Sequence, residues 1–98
     1  MAKSGYIAVD LGAESGRVML AQLVGGKITL QEMHRFANGP TQEGDSLRWD
    51  FNKLMTEIIA GIGKAAAACP NARSIGVDTW GVDFGLLDKS GKLIENPY

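Results

Sequence analysis

Two stretches of this sequence are built to one plan. Ile7-Ala8-Val9-Asp10 and Ile75-Gly76-Val77-Asp78 are short apolar runs closed by an aspartate, with Gly12 and Gly81 following within three residues. Near-continuous apolar runs containing Ile and Val read as buried strands. Between them lies a helical pattern, and parallel pairing of two strands requires a crossover of that length. The plan therefore predicts two adjacent parallel strands that carry both carboxylates to one edge of a sheet. In α/β sheets, sites gather at the carboxyl ends of strands.

The other elements follow from local pattern. Tyr6 to Leu11 is the first strand; Arg17 to Val24 and Lys27 to Phe36 are longer runs joined by Gly25-Gly26. Such a glycine pair accepts the positive φ values of a tight hairpin turn. In the third strand Ile28, Leu30, His34 and Phe36 fall on one face under strict alternation. Asn38 to Leu47 is rich in Gly, Pro, Asn, Asp, Thr and Ser and reads as a loop. Asp50 is placed as a helix N-cap, with Trp49 and Leu54 spaced as a hydrophobic staple. Phe51, Leu54, Met55, Ile58, Ile59, Ile62, Ala65 and Ala66 then form an apolar stripe, and Pro70-Asn71 ends the helix. Gly61 and Gly63 lie inside it, each at a cost of about 1 kcal/mol relative to Ala, which suggests close packing. Ser74 to Asp78 is the next strand. Val82 to Asp88 and Lys92 to Glu95 are expected to form a C-terminal hairpin across Lys89-Ser90-Gly91. The fold class is α/β: a mixed sheet with an antiparallel meander, one main helix and that hairpin.

Composition narrows the classes of function. With 98 residues there is room for one small domain, and a formal net charge of -1 points to neither nucleic acid nor an anionic membrane. The Met1 to Tyr6 stretch lacks the apolar run of a signal peptide, and no apolar run is long enough to span a bilayer. A lone cysteine, Cys69, fits a reducing, cytoplasmic setting. It sits at a helix end, where a small buried side chain is a better reading than a nucleophile. The one histidine, His34, reads as a half-buried strand residue, since no second His or Cys pair offers zinc-ligand spacing.

Two motifs carry chemistry. In Asp10-Leu11-Gly12-Ala13-Glu14-Ser15-Gly16-Arg17 the glycines let backbone approach a ligand and successive N–H groups can form an anion nest. Ser15 adds a hydroxyl and Arg17 a charge suited to phosphate. A carboxylate beside phosphate asks for a cation between them, and Mg²⁺ binds in that way. The same spacing also suits an ordinary glycine-containing turn in which Asp10 caps local N–H groups. In Asp78-Thr79-Trp80-Gly81-Val82-Asp83-Phe84, acids, a hydroxyl and an indole flank a glycine, a surface suited to a polyol. A bend with Trp80 in the core is the competing reading.

On these residues the sequence resembles the FGGY carbohydrate kinases of the actin-like ATPase superfamily. The likeness rests on "VDLGAESGRVML", "HRFANG", "WDF" and "SIGVDTWGVDFGLLDKSGKLIENPY" and covers Tyr6 to Tyr98. The opening Asp-x-Gly is shared across the superfamily. "DTWGVDF" is more specific and narrows the likeness to the branch that phosphorylates L-rhamnulose. The resemblance implies a ribonuclease H-like fold, of which residues 1–98 would be the incomplete N-terminal part of the first kinase domain. It implies transfer of phosphate from ATP to the 1-hydroxyl of L-rhamnulose, with Mg²⁺. It assigns Ala13, Glu14, Ser15, Gly16 and Arg17 to the ATP phosphates and Asp10 to the metal. Gly81 falls at a sugar-contacting position, with Trp80 and Asp83 as neighbours. The family's catalytic aspartate and second lobe lie downstream of the segment matched. The chain alone is thus expected to lack kinase activity and to self-associate through open sheet edges. Another FGGY kinase acting on a different ketose or polyol, or a non-catalytic actin-like scaffold or binding module, are the alternatives.

Overall fold

The computed structural model describes residues 4–98; Met1 to Lys3, part of the Met1 to Tyr6 stretch read above for a signal peptide, lie outside the described residues. It is an α/β fold. β1 (Gly5–Leu11), β2 (Ser15–Val24) and β3 (Lys27–Ala37) form an antiparallel meander. A small hairpin follows, β4 (Pro40–Glu43) and β5 (Ser46–Trp49), then the helix α1 (Phe51–Ala68) and β6 (Ala72–Asp78). The main sheet has the order β3-β2-β1-β6, with β6 parallel to β1. The helix supplies the crossover that this parallel pair needs. Ile7 pairs with Ile75, Val9 with Val77 and Asp10 with Asp78, so the repeated plan becomes a spatial register.

One face of the sheet is packed. Ile7, Val9 and Leu11 of β1, Val18 and Leu20 of β2 and Phe36 of β3 are buried on the side covered by α1. Ala65 is buried in the helix, and Leu54, Ile58 and Ile62 pack on the same cluster. Gly61 is buried because a Cβ there would collide with Val18. Gly63 faces open space, so close packing explains the first glycine and not the second. Asp50 caps the helix by accepting from Lys53 N at 3.1 Å. At the other end the Cys69 N–H donates to Ala65 O, and Pro70 follows the cap.

Four expectations need correction. Asn38 to Leu47 is not one loop: it holds β4 and the start of β5, which turn at Gly44 with φ of 61°. All four residues of β4 are exposed, so the hairpin carries no apolar alternation to read, and Pro40 sits where an edge strand tolerates it. Second, the C-terminal hairpin reduces to an isolated Leu87–Leu93 bridge with flanking backbone bonds, outside any named strand. Val82 at φ 71° turns the chain out of the extended conformation that strand would need. Third, β3 does not keep one face throughout. A register shift opposite Val18 and Met19 leaves Met33 as an extra residue, so Phe36 is buried while Ile28 and Leu30 lie exposed on the other face. Fourth, the helical stripe is wider than its cover. Phe51, Met55, Ile59 and Ala66 remain exposed.

His34 is half-buried between β3 and α1, as its position in the strand suggests. Its Nε2 donates to Glu57 Oε2 at 2.7 Å, and its Nδ1 accepts from Lys64 Nζ at 2.9 Å. A carboxylate only accepts and an ammonium only donates, so the neutral Nε2–H ring satisfies both. Among the described residues no helix is long and apolar enough to cross a membrane.

Candidate functional site

The carboxyl ends of β1 and β6, the start of β2 and the end of β3 meet at one end of the sheet. Here the register lines up four charged residues across all four strands. Asp78 pairs with Asp10, Asp10 with Arg17, and Arg17 with Arg35. Paired residues share a face, so the row lies on the side opposite α1. It runs from two carboxylates on β6 and β1 to two guanidinium groups on β2 and β3. Arg17 Nη1 lies 3.2 Å from Asp10 Oδ2, joining the two signs at the centre. This pair is half-exposed, so its net contribution to stability is on the order of 1 kcal/mol or less.

The turn from β1 to β2 stands over this row. Gly12 N–H donates to Ser15 O at 3.0 Å and closes the turn. A Cβ on Gly12 would lie 2.8 Å from that same oxygen, so only glycine fits. Gly16 is equally fixed, since a Cβ there would enter the Phe36 ring. Asn38, just after β3, holds the turn from outside. Its Nδ2 donates to Gly12 O and its backbone N–H to Glu14 O, both at 2.9 Å. Both guanidinium groups reach Ser15: Arg17 Nη2 donates to Oγ at 3.3 Å and Arg35 Nη1 at 3.5 Å. Arg35 also donates from Nε to Glu32 at 2.6 Å.

Asp10, Ser15, Gly16 and Arg17 thus come together as the spacing suggested, with Ala13 and Glu14 in the turn itself. Arg35 and Asn38 were missed as site residues. Both lie within the "HRFANG" stretch, where the apolar alternation of β3 is the dominant pattern. The signal that could have found Arg35 is its cross-strand pairing with Arg17, which depends on knowing the bulge.

The second motif lies just past β6. Trp80 is half-buried against the core cluster, and its indole N–H donates to Asp83 Oδ2. A second indole joins it. Trp49, at the end of β5, donates from Nε1 to the same oxygen at 3.0 Å, and the two rings lie 4.6 Å apart at 42°. Trp49, Thr79, Trp80 and Asp83 line a cleft of about 150 Å³ together with Leu54 and Phe84. Gly81 has open space around it. Trp49 was expected only to staple the helix start; its ring is instead shared with Trp80.

The donor set can be tested for fit to a phosphate and a divalent cation. No cluster of three or more His, Cys, Asp or Glu side chains among the described residues could cage a metal. Mg²⁺ does not need a cage, because it takes one or two carboxylates and completes its shell with water and phosphate oxygens. Arg17 Nε is buried with no hydrogen-bond partner, an unused donor at the guanidinium end of the row. Carboxylates, a tight glycine turn and two arginines fit such a pair of ligands.

No family model matches the chain. Similarity to curated proteins is extensive. A rhamnulokinase of Enterococcus faecalis is 47% identical over 96 residues, 97% of this chain and 19% of that protein. One of Bacteroides thetaiotaomicron is 44% identical over 98% of this chain and 20% of its own length. One of Bacillus subtilis is 43% identical over 88% and 18%. The chain spans about one fifth of the length of these curated relatives. Over that fifth its sequence is similar to the rhamnulokinases.

Proposed function

We propose that this chain is the N-terminal part of the first domain of an ATP-dependent carbohydrate kinase of the FGGY type, with a ribonuclease H-like fold. In this reading the whole protein works in the cytoplasm and transfers phosphate from ATP to the 1-hydroxyl of L-rhamnulose, giving L-rhamnulose 1-phosphate. The observation that carries it is the charged row Asp78–Asp10–Arg17–Arg35 beneath a glycine turn. The rhamnulokinase relatives supply the reaction class.

Each group then has a physical task. Phosphoryl transfer asks a protein chiefly for positioning and for charge stabilisation. Asp10 would hold Mg²⁺, which when bound would offset the negative charge of the phosphates. Ala13 to Arg17 would hold the phosphate chain through turn N–H groups, the Ser15 hydroxyl and the Arg17 guanidinium, with Arg35 extending the cationic end. Gly81 gives the sugar close access to backbone, Trp80 offers its face to the carbons, and Asp83 accepts from hydroxyls. The proton acceptor for the attacking hydroxyl belongs to the rest of the kinase, so the 98-residue chain by itself is inactive. Its β6 edge, with exposed Ile75 and Val77, favours self-association of the isolated chain. A species whose sedimentation is monomeric at every concentration would argue against that last point.

The test is a coupled ADP assay on the intact kinase with L-rhamnulose, other ketoses and polyols, beside the 98-residue chain alone. Rhamnulose-dependent ADP formation is expected from the intact protein and not from the chain. Preference for a different sugar would move the protein elsewhere among sugar kinases. Absence of any phosphoryl transfer by the intact protein would leave only a binding module. Activity in the isolated chain would contradict the division of labour between lobes.

A further inference from the structure

We propose that Trp49 is a positioning residue of the candidate sugar site, anchoring Asp83 and through it the Gly81-Val82-Asp83 turn. The inference rests on the sugar-kinase reading for its function, although the anchor itself can be tested without it. Three observations meet here. First, two indole N–H groups from distant segments converge on one oxygen, Asp83 Oδ2. Among the described residues no hydrogen bond takes Oδ1, so that oxygen is left for a hydroxyl donor while the carboxylate is held from its other side. Second, Val82, the residue just before Asp83, has φ of 71°. A β-branched side chain is a genuine outlier in the left-handed region. Val82 is 97% exposed, so no packing of its own holds it there. Strained backbone persists only where its surroundings over-determine it, and the doubly held Asp83 is the constraint next to it. Third, Trp49 stands on a fixed platform. Its backbone N–H donates to Pro97 O at 2.9 Å, and the neighbouring Arg48 donates to Asn96 O at 2.6 Å and lies 3.8 Å over the Tyr98 ring.

Trp80 cannot do this alone. Its ring packs on the core cluster, but it lies only three residues from Asp83, so its bond to Oδ2 stays local to the turn. Trp49 comes from β5 and ties the turn to another element of the fold. The positive φ at Val82 is then what sets the direction of the Asp83 carboxylate and exposes the Gly81 backbone. Nothing in this needs Trp49 to touch the sugar.

Two measurements decide it. In the intact kinase, Trp49→Phe keeps a ring for stacking and removes the donor. The KM for the ketose should rise about tenfold while the KM for ATP stays within about twofold, since a site loosened by a fraction of an ångström loses affinity for the group it orients. Adding Val82→Gly should recover most of the loss, because glycine adopts positive φ without strain and no longer needs the anchor. A ketose KM that Trp49→Phe leaves unchanged, or a rise that Val82→Gly does not reduce, overturns the proposal. The second measurement uses the 98-residue chain, whose only two tryptophans are Trp49 and Trp80. Asp83→Ala should shift both indole N–H signals in a ¹H–¹⁵N spectrum; a Trp49 signal that stays in place sinks the anchor whatever the sugar. If the intact protein phosphorylates no ketose while both indole signals move, the kinase reading fails and the anchor stands.

Discussion

β1 and β6 carry almost the same residues in register, and bury them to opposite extents. Ile7 and Val9 are 4% and 1% exposed; their partners Ile75 and Val77 are 54% and 64% exposed. Their sequences, Ile-Ala-Val-Asp and Ile-Gly-Val-Asp, do not explain this. Position does. β1 lies between β2 and β6 under α1, while β6 is the edge strand. An apolar pattern specifies which face of a strand turns toward a core, and the neighbours decide whether a core is there. The acids that close the two strands are less sensitive to this, because backbone pairing alone brings Asp10 beside Asp78.

The sharpest way to break this comparison is to truncate the same side chain in each strand. Ile7→Ala should cost about 2–5 kcal/mol, as buried Ile→Ala changes do. Ile75→Ala should stay within about 0.5 kcal/mol, the range for exposed positions. Urea denaturation of the 98-residue chain, diluted until it sediments as a monomer, reads both. Equal losses in the monomer would mean that β6 is covered by a rearranged helix, and the contrast between the strands would vanish.

A smaller effect of opposite sign is expected within α1. Gly61→Ala would press a methyl group against Val18 and should destabilise by about 1–3 kcal/mol, as overpacking does. Gly63→Ala, two residues on, meets nothing and should stabilise by about 1 kcal/mol through helix propensity. The same denaturation curves decide it. If both changes move the midpoint in one direction, the helix does not sit on β2 as described.

Much of this was legible because the determining signals are local. The Gly25-Gly26 turn, the Asp50 cap and the paired apolar runs each depend on a few adjacent residues, and the topology follows from the crossover. The misses share a different cause. The bulge at Met33 is set by how β3 must fit β2 and α1, and it moves Ile28 and Leu30 to the other face without any mark in the sequence. The β4–β5 hairpin has no buried face, so hydrophobic alternation says nothing about it. In the site, the Asp10 to Arg17 turn could be read as a unit because it is contiguous. Arg35 and Trp49 could not, since each joins its cluster only through strand pairing or through contact across the fold.

The least effect is expected in the tail, where one exposed carboxylate organises a turn. Asp88 accepts from the Ser90 hydroxyl at 2.7 Å and from the Ser90 and Lys92 N–H groups at 2.9 and 3.0 Å. The Ser90 hydroxyl, then the Lys92 N–H, hold its carboxyl below the ordinary value, with desolvation opposing them. A group whose folded value is depressed stabilises its fold above the unfolded value and loses that contribution as pH falls through the folded one. The turn over residues 88–92 should therefore be tight at neutral pH and loosen only below about pH 4, the ordinary range for aspartate. Amide signals of Ser90 and Lys92 followed by NMR during acidification should move together in that window. Asp88→Asn, which keeps an acceptor oxygen without the charge, should remove the titration and leave the turn loosened at every pH. Signals that stay fixed in the native chain would mean that the Leu87–Leu93 bridge closes the turn unaided, and that the tail owes its shape to backbone pairing after all.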